Sequence, residues 1–435
     1  MNLSQRQIFI IAGAAVIALI ASFLIFVNLR PGKSVDIKLS VWGFENKSVF
    51  DPIVKAYKQA RPNVEVAYQQ IPAENYESYL LNALASGRGP DVFPVHNRAL
   101  PKEKDRIAPV SSAQFTVSQF RELFPTVAEQ DFTFSTSSAI ASKKIYALPL
   151  FIDTLALLYN KDLFDQAGIV SPPQTWNEFQ AIIPRLRLIS ATNQLQRAGA
   201  AIGGSRKTVK TAVDLLNVLM LQNGTQMTTP DLRGASFVSY SSNNTGLQAF
   251  NFYLQFANPG SNYYAWNDDQ RDSLESFSSG GVAMLFGYYS DFVKVKNKNP
   301  FLNIGIAPLP QPRTANSVNY ADYWGLAASR QSQAGGWAWD FIIYLASQPE
   351  VSKQYLEPAN RPAALRSLIS GNINDPVFGV FSKQALTARS WYEADEEKIN
   401  RIFDAAIVSV LNGQFDSGRA LQQAQDQISQ LMTNN

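Results

Sequence analysis

Residues 8–27 form an unbroken apolar run, and the chain beyond residue 34 alternates stretches of period two with longer stretches of period near 3.6. In residues 37–42 apolar and polar side chains alternate as in a strand. Phe50, Ile53, Val54 and Tyr57 then recur at helical spacing, and Arg61-Pro62 stops that helix, because the residue before a proline is pushed out of the α region. Residues 64–68 predict a second strand. Tyr76, Tyr79, Leu80, Ala83 and Leu84 form a second helical stripe closed by Gly87, and residues 91–95 a third strand. This β-α-β-α-β order predicts the opening half of a doubly wound sheet. Further on, residues 145–150 and 154–159 predict strands around a crossing point. Thr175 and Glu178 make a capping box before a helix carrying Phe179, Ile182, Ile183 and Leu186, which Pro184 should kink or shorten. Residues 208–222, 245–257, 337–347, 396–411 and 417–431 read as helices, and 282–286 and 302–307 as strands. The class is α/β, with no internal repeat.

The amino-terminal run of about twenty residues is long enough, as a helix, to cross a hydrocarbon core of ~30 Å. Arg6 precedes it, and Arg30, Pro31, Gly32 and Lys33 follow. A cleaved signal peptide is the competing reading; such peptides have a shorter apolar core and small residues before the cut. Phe26, Val27, Asn28, Leu29 and Arg30 make a poor cleavage site. The expectation is one uncleaved transmembrane helix holding the remaining chain on one side of a cell membrane. The flanking charges are too balanced to set its orientation.

A chain of 435 residues exceeds one ordinary core, so two domains are expected. With 46% hydrophobic and 17% charged residues the chain is globular, not disordered. The formal charge is +3, and Lys and Arg are interspersed with acids, which argues against a nucleic-acid partner. The absence of cysteine excludes disulfides, thiolate metal sites and lipid attachment, and the single histidine, His96, excludes a multi-histidine metal site. No cofactor is implied.

In open α/β sheets ligands bind beyond the carboxyl ends of the strands. The first predicted strand empties into Gly43, Phe44, Glu45 and Asn46, and the third into His96, Asn97 and Arg98. These loops share one crevice. Phe44 reads equally as a core residue, and Glu45, Asn46 and Asn97 as solvated loop positions. Residues 203–208 resemble a phosphate loop, but Arg206 stands where that motif needs glycine before Lys207. Asp395, Glu396 and Glu397 could do paired-carboxylate chemistry, but they open a predicted helix, where acids suit the dipole.

Several local patterns resemble one family. Ala85-Ser86-Gly87 with Pro90-Asp91-Val92, then Leu148-Pro149, Asp153-Thr154, Tyr159-Asn160-Lys161, Ala167-Gly168 and Pro173-Gln174-Thr175-Trp176, are similar to the family-1 extracellular solute-binding proteins of ABC importers, which include maltose-binding-type proteins. Phe277, Gly280-Gly281, Ala283-Met284 and Gly287 match a later strand and loop, and Arg361-Pro362-Ala363 a return crossover. The resemblance spans roughly residues 36–432 and implies a two-lobed, type II periplasmic-binding-protein-like fold with hinge crossovers, preceded by the transmembrane helix. It places the anchor in residues 1–33, the first lobe in 34–149 and 309–360, and the second in 150–308 and 361–435. The crossings are expected at residues 147–153, 307–310 and 359–363. It implies Glu45, Asn46, His96, Asn97, Asp153, Asn223, Tyr289 and Trp324 as ligand contacts, with Tyr289 as stacking platform and Trp391 and Tyr392 as further candidates. Val95 stands at an aromatic position of the maltose-binding pattern, which argues against maltodextrin itself. The implied function is extracytoplasmic capture of a sugar or polyol without chemistry, with permease subunits as partners and the bilayer contacted through residues 8–27. A receptor coupled to a signalling partner and a secreted glycoside hydrolase are the alternatives.

Overall fold

In the computed structural model the described residues are 36–135, 143–192, 194–239, 243–313 and 317–433. The candidate span at residues 8–27 lies outside them. Among the described residues no helix is long and apolar enough to cross a membrane.

The strands that carry the architecture are β1 (Ile37–Gly43), β2 (Val64–Gln70), β3 (Val92–His96), β4 (Leu148–Pro149), β5 (Asp153–Thr154), β6 (Ala156–Asn160), β7 (Met284–Gly287), β8 (Ile304–Ala307), β9 (Asn319–Asp322), β10 (Trp324–Ala328) and β11 (Ala388–Arg389). β1 pairs in parallel with β2 from Ile37↔Val64 to Gly43↔Gln70, and with β3 at Val41↔Val92, so the predicted opening half forms. The helix Lys47–Ala60 between β1 and β2 buries Val49, Phe50, Ile53 and Tyr57 and ends before Arg61-Pro62. β10 adds antiparallel to β3, and β4 adds to β10, giving the order β2-β1-β3-β10-β4. The second sheet is antiparallel, β7-β6-β8, with Leu158 opposite both Leu285 and Ile306.

Among the described residues two large hydrophobic cores result, with a small third cluster of Ala156, Tyr289 and Phe381. The first gathers Leu39, Val41, Phe93, Phe120, Phe132, Leu326, Phe341 and Ile369. The second gathers Leu157, Phe179, Leu216, Phe250, Met284, Phe286, Phe403 and Ile428. Thr175 and Glu178 do form the capping box of the helix Trp176–Leu186, with Glu178 N donating to Thr175 Oγ1 at 3.2 Å. Pro184 does not end that helix, which runs on to Leu186. Pro184 lies on an exposed face, where water can serve the Gln180 carbonyl that it cannot bond.

Core membership locates the chain crossings. Ile152 belongs to the first core and Leu155 to the second; Leu309 and Tyr320 belong to the second core, and Ala321 and Tyr323 to the first. Ala363, Ala364, Leu365, Leu368 and Ile369 still pack in the first core, and the chain rejoins the second at Trp391. The first crossing therefore falls beside the expected 147–153, whereas those expected at 307–310 and 359–363 lie further along the chain. β5, β9 and β11 meet as a small sheet of order β11-β9-β5, which bridges the lobes. The crevice between the lobes opens beyond the ends of β1, β3 and these bridging strands.

Candidate functional site: the cleft between the lobes

Beyond β1 the backbone turns at Gly43, where a Cβ would stand 2.7 Å from the Tyr68 hydroxyl. That close approach lets Tyr68 donate to the Glu45 carbonyl at 2.6 Å, which fixes the loop carrying Phe44 and Glu45. The loop forms one wall of an interlobe cavity of about 200 Å³. Phe151 and Asp153 of the first crossing, Tyr288 and Ser290 of the second lobe, and Asp322, Trp324, Tyr355 and Arg361 line the rest. Glu45 faces Arg361, with Oε1 3.0 Å from Nη2, and the guanidinium carbon lies 4.7 Å from the centre of the Phe151 ring.

Trp324 is half-buried, with its ring edge-on to Phe44 at 4.7 Å, His96 at 4.9 Å and Tyr76 at 5.7 Å. It also lines a smaller chamber of about 100 Å³ bounded by Tyr76, Leu80, His96 and residues 393–396. A third space of about 510 Å³ lies between Asn97, Arg98, Asp131 and Thr133 on one side and Gln226, Met227, Trp391 and Tyr392 on the other.

A web of charges joins the lobes beside these spaces. His96 Nε2 lies 2.6 Å from Asp322 Oδ1, and its Nδ1 lies 3.4 Å from Glu396 Oε2. Arg98, only 2% exposed, sends Nη1 to Glu393 at 3.1 Å and Nη2 to Glu396 at 3.0 Å and Asp322 at 3.3 Å. Nη1 also donates to the Tyr320 hydroxyl and lies 3.7 Å from Asp214. Burial pulls His96 down, but the Glu396 carboxylate and the Asp322 hydrogen bond outweigh it and hold the imidazole above its ordinary value. Burial pushes Asp214 up to about 7 and raises Glu393 as well. It raises Asp153 to about 7 against two backbone donors, and Asp131 to about 6 against bonds from Ser390, Asn97 and Tyr323. Asp322 goes the other way: burial alone would raise it, but its bond to His96 and the charge of Arg98 win and lower it.

Glu45, Asp153 and Trp324 thus meet in the first cavity, and His96 stands in the adjoining chamber. Asn97 is buried instead, donating to Asp131 Oδ2 at 2.9 Å and accepting from Tyr323 N at 3.2 Å, at the edge of the third space. Three expectations need correction. Asn46 caps the helix Lys47–Ala60, its Oδ1 accepting from Ser48 N at 3.0 Å. Asn223 ends the helix Ala212–Gln222 and binds the Thr245 carbonyl at 2.8 Å, beside a surface cavity built from second-lobe residues. Tyr289 offers no open ring face, because Phe378 stacks on it at 4.6 Å; its neighbour Tyr288 lines the cavity. Asn46 follows a common rule, since a short amide satisfies an orphan donor at a helix N-terminus, whereas the Asn223 amide ties its helix to the neighbouring helix Thr245–Leu254.

The phosphate-loop resemblance is also resolved. Ser205 N and Thr208 Oγ1 both donate to Asp268 Oδ1 at 2.8 Å, and Arg206 N to Asp404 at 2.6 Å, so the chain's own carboxylates occupy the donors an anion would need. Asp395 caps the helix Glu396–Leu411, as the dipole reading expected. Sequence reasoning missed Asp214, Asp322 and Glu393, and it placed Arg98 in the crevice and Arg361 at a crossover without giving either a role in the site. Arg98 was visible as the residue after His96-Asn97, and Asp322 as the acid two positions before Trp324.

The sequence profile described as bacterial extracellular solute-binding protein matches residues 43–351. The chain belongs to that family. Among its relatives, the maltotriose-binding protein of Pyrococcus abyssi (strain GE5 / Orsay) is 23% identical over 347 residues, covering 77% of this chain and 68% of the relative. The sugar-binding protein MalE of Xanthomonas citri aligns with a TM-score of 0.75 at 20% identity, covering 91% of this chain and 98% of that one. The cyclic alpha-maltosyl-1,6-maltose binding protein of Arthrobacter globiformis aligns with a TM-score of 0.74 at 17% identity, over 92% of this chain and 100% of that one. At these identities the structural matches establish the two-lobed fold of this solute-binding protein and nothing finer.

Proposed function

We propose that this solute-binding protein is the receptor of an ABC importer, closing its lobes on a sugar or related polyol outside the cytoplasm and held at the membrane by residues 8–27. The observation that carries the reading is the interlobe cavity in which Trp324 and Phe44 stand beside Glu45, Asp153 and Asp322. Sugars present apolar C–H faces and a belt of hydroxyls; aromatic rings cover the faces and carboxylates accept from the hydroxyls. The names of the maltotriose- and maltosyl-maltose-binding relatives support the same ligand class. Closure is a population shift, since a ligand that touches both lobes binds the closed state better.

The lining favours binding over turnover. Glycoside hydrolysis needs two carboxyl groups on either side of a bond. Asp153 and Asp322 are opposite one another on adjacent strands and so share a wall, while Glu45 is engaged by Arg361.

The test is a thermal-shift screen of the full-length protein, in a detergent without a sugar headgroup, against sugars, polyols, glycerophosphodiesters, amino acids and peptides. A ligand at about 100 times its dissociation constant stabilises the fold by about 2.7 kcal/mol. A sugar or polyol hit that is recovered unchanged supports the reading. A hit confined to amino acids or peptides removes the ligand class, and turnover of the ligand removes the receptor role.

A further inference from the structure

The bridging strands β5 and β9 pair antiparallel with Asp322 directly opposite Asp153. Like charges directly opposite each other on a strand pair repel. Both carboxylates line the same interlobe cavity. Asp153 is 4% exposed. Its Oδ1 accepts from Thr154 N at 2.9 Å and Tyr289 N at 3.2 Å, both backbone donors. Among the described residues no Lys, Arg or His forms an ion pair with it, and Asp322 meets His96 and Arg98 through Oδ1 alone. Among the described residues neither Oδ2 is engaged by a hydrogen bond or an ion pair. The third lining carboxylate, Glu45, is matched by Arg361.

Among the described residues the cavity wall carries Glu45, Asp153 and Asp322 with Arg361 as its one lining cation; Arg361 is engaged by Glu45, and Arg98 and His96 reach only Oδ1 of Asp322. Such a field, focused between low-dielectric walls, concentrates cations. The rest of the wall includes the rings of Phe44, Phe151 and Trp324, which a bare metal ion would leave uncovered and a carbohydrate ring would cover.

We propose that the ligand carries a protonated amine, and that the cavity selects an amino sugar over its neutral counterpart by placing the ammonium between Asp153 and Asp322 while Trp324 and Phe44 hold the ring. This rests on the reading of the cavity as a sugar site. An ammonium brings three donors and a positive charge, so it can reach both carboxyl groups at once and favours the ionised form of Asp153 beside Asp322. A hydroxyl brings one donor and no charge.

The experiment is isothermal titration calorimetry on the full-length protein in a detergent without a sugar headgroup, near neutral pH. Glucosamine, galactosamine, mannosamine and the glucosamine dimer are each titrated beside the neutral parent and the N-acetyl derivative. The expected result is that one amino sugar binds at least about tenfold more tightly than both partners, the gain of one charge-assisted hydrogen bond. That ratio should collapse towards one in Asp153→Asn and Asp322→Asn. An amide at position 153 keeps an acceptor for Thr154 N and Tyr289 N, and circular dichroism reports whether each variant is folded. Equal or tighter binding of a neutral sugar overturns the inference and leaves the sugar-receptor reading intact. An amine preference that survives in both folded variants also overturns it, by moving the ammonium elsewhere. Binding of none of these sugars by folded wild-type protein overturns the inference together with the reading beneath it.

Discussion

The Tyr289 hydroxyl donates to Asn360 Oδ1 at 2.7 Å. The first residue of a second-lobe helix is thereby fastened to the residue that ends the first-lobe helix Pro349–Ala359, which sits in the left-handed region at φ 54°. The bond crosses between the lobes, so it belongs to the energetics of their arrangement and not to the cavity wall. Tyr289→Phe keeps the stack on Phe378 and removes only this bond, at a cost of about 1 kcal/mol to the arrangement described here. Ligand affinity should fall by roughly fivefold. Calorimetry checks this. Unchanged binding would show that this bond contributes nothing to the ligand-bound arrangement.

Arg98 is, among the described residues, the one cation that reaches Glu393, Glu396 and Asp322 together. Removing one partner of a buried charged network leaves the others uncompensated, which typically costs about 3–5 kcal/mol. Arg98→Met should lower the urea midpoint accordingly. Arg98→Lys should recover little of the loss, because a single ammonium lacks the fork that serves Glu393 through one arm and Glu396 through the other.

Stability should rise on mild acidification. Burial holds Asp131 at about 6 and both Asp153 and Asp214 at about 7, above ordinary carboxylates. Over that interval the folded chain binds protons that the unfolded chain has released, so these groups favour folding at low pH and that contribution is lost as pH climbs through their folded values. Asp322, held low, acts in the opposite sense only in strong acid. Scanning calorimetry should therefore give a melting temperature at pH 5.5 at least about 2 °C above that at pH 8. Asp214→Asn should flatten the difference. A melting temperature that rises from pH 5.5 to pH 8 would contradict this account.

Trp324 separates the interlobe cavity from the chamber beside His96. Trp324→Ala removes three edge-on aromatic contacts, each worth about 0.5–1.5 kcal/mol, and merges the two spaces. Affinity should fall at least about tenfold. Trp324→Phe should retain an intermediate affinity, and titration of both variants against the same ligand checks the order.

Elements with a strong apolar period were legible in the chain. The helices Tyr76–Ala85 and Glu396–Leu411 and the capping box at Thr175 emerge where periodicity and cap chemistry put them. Of the crossings only the first was. Asp153–Thr154 and Ala388–Arg389 are strands of two residues, too short for any period to register, and the resemblance put the second and third crossings too early in the chain. Within the cleft, Glu45 could be anticipated because it follows the first strand, whereas Asp153 and Trp324 were implied only by the family resemblance. Arg361 could not be paired with Glu45, nor Arg98 with Glu393, since such partners lie far apart in sequence and meet only through tertiary packing. Asn46 and Asn223 show the converse error. The Asn46 amide has a local capping use and the Asn223 amide a tertiary one, and either competes with a ligand.

β10 occupies a middle position in the first sheet, between β3 and β4, although more than half the chain intervenes between β3 and β10 in sequence. Until residue 328 is available, Val92–His96 has one open edge, and Phe93 and Val95 lack their final neighbours. A nascent chain must therefore carry an unsealed sheet through most of its synthesis. Loop closure over that distance is slow, and exposed strand edges invite association with other chains. Fragments ending before residue 324 should aggregate, and a holdase that shields strand edges should raise the yield of the whole protein more than one that shields helices.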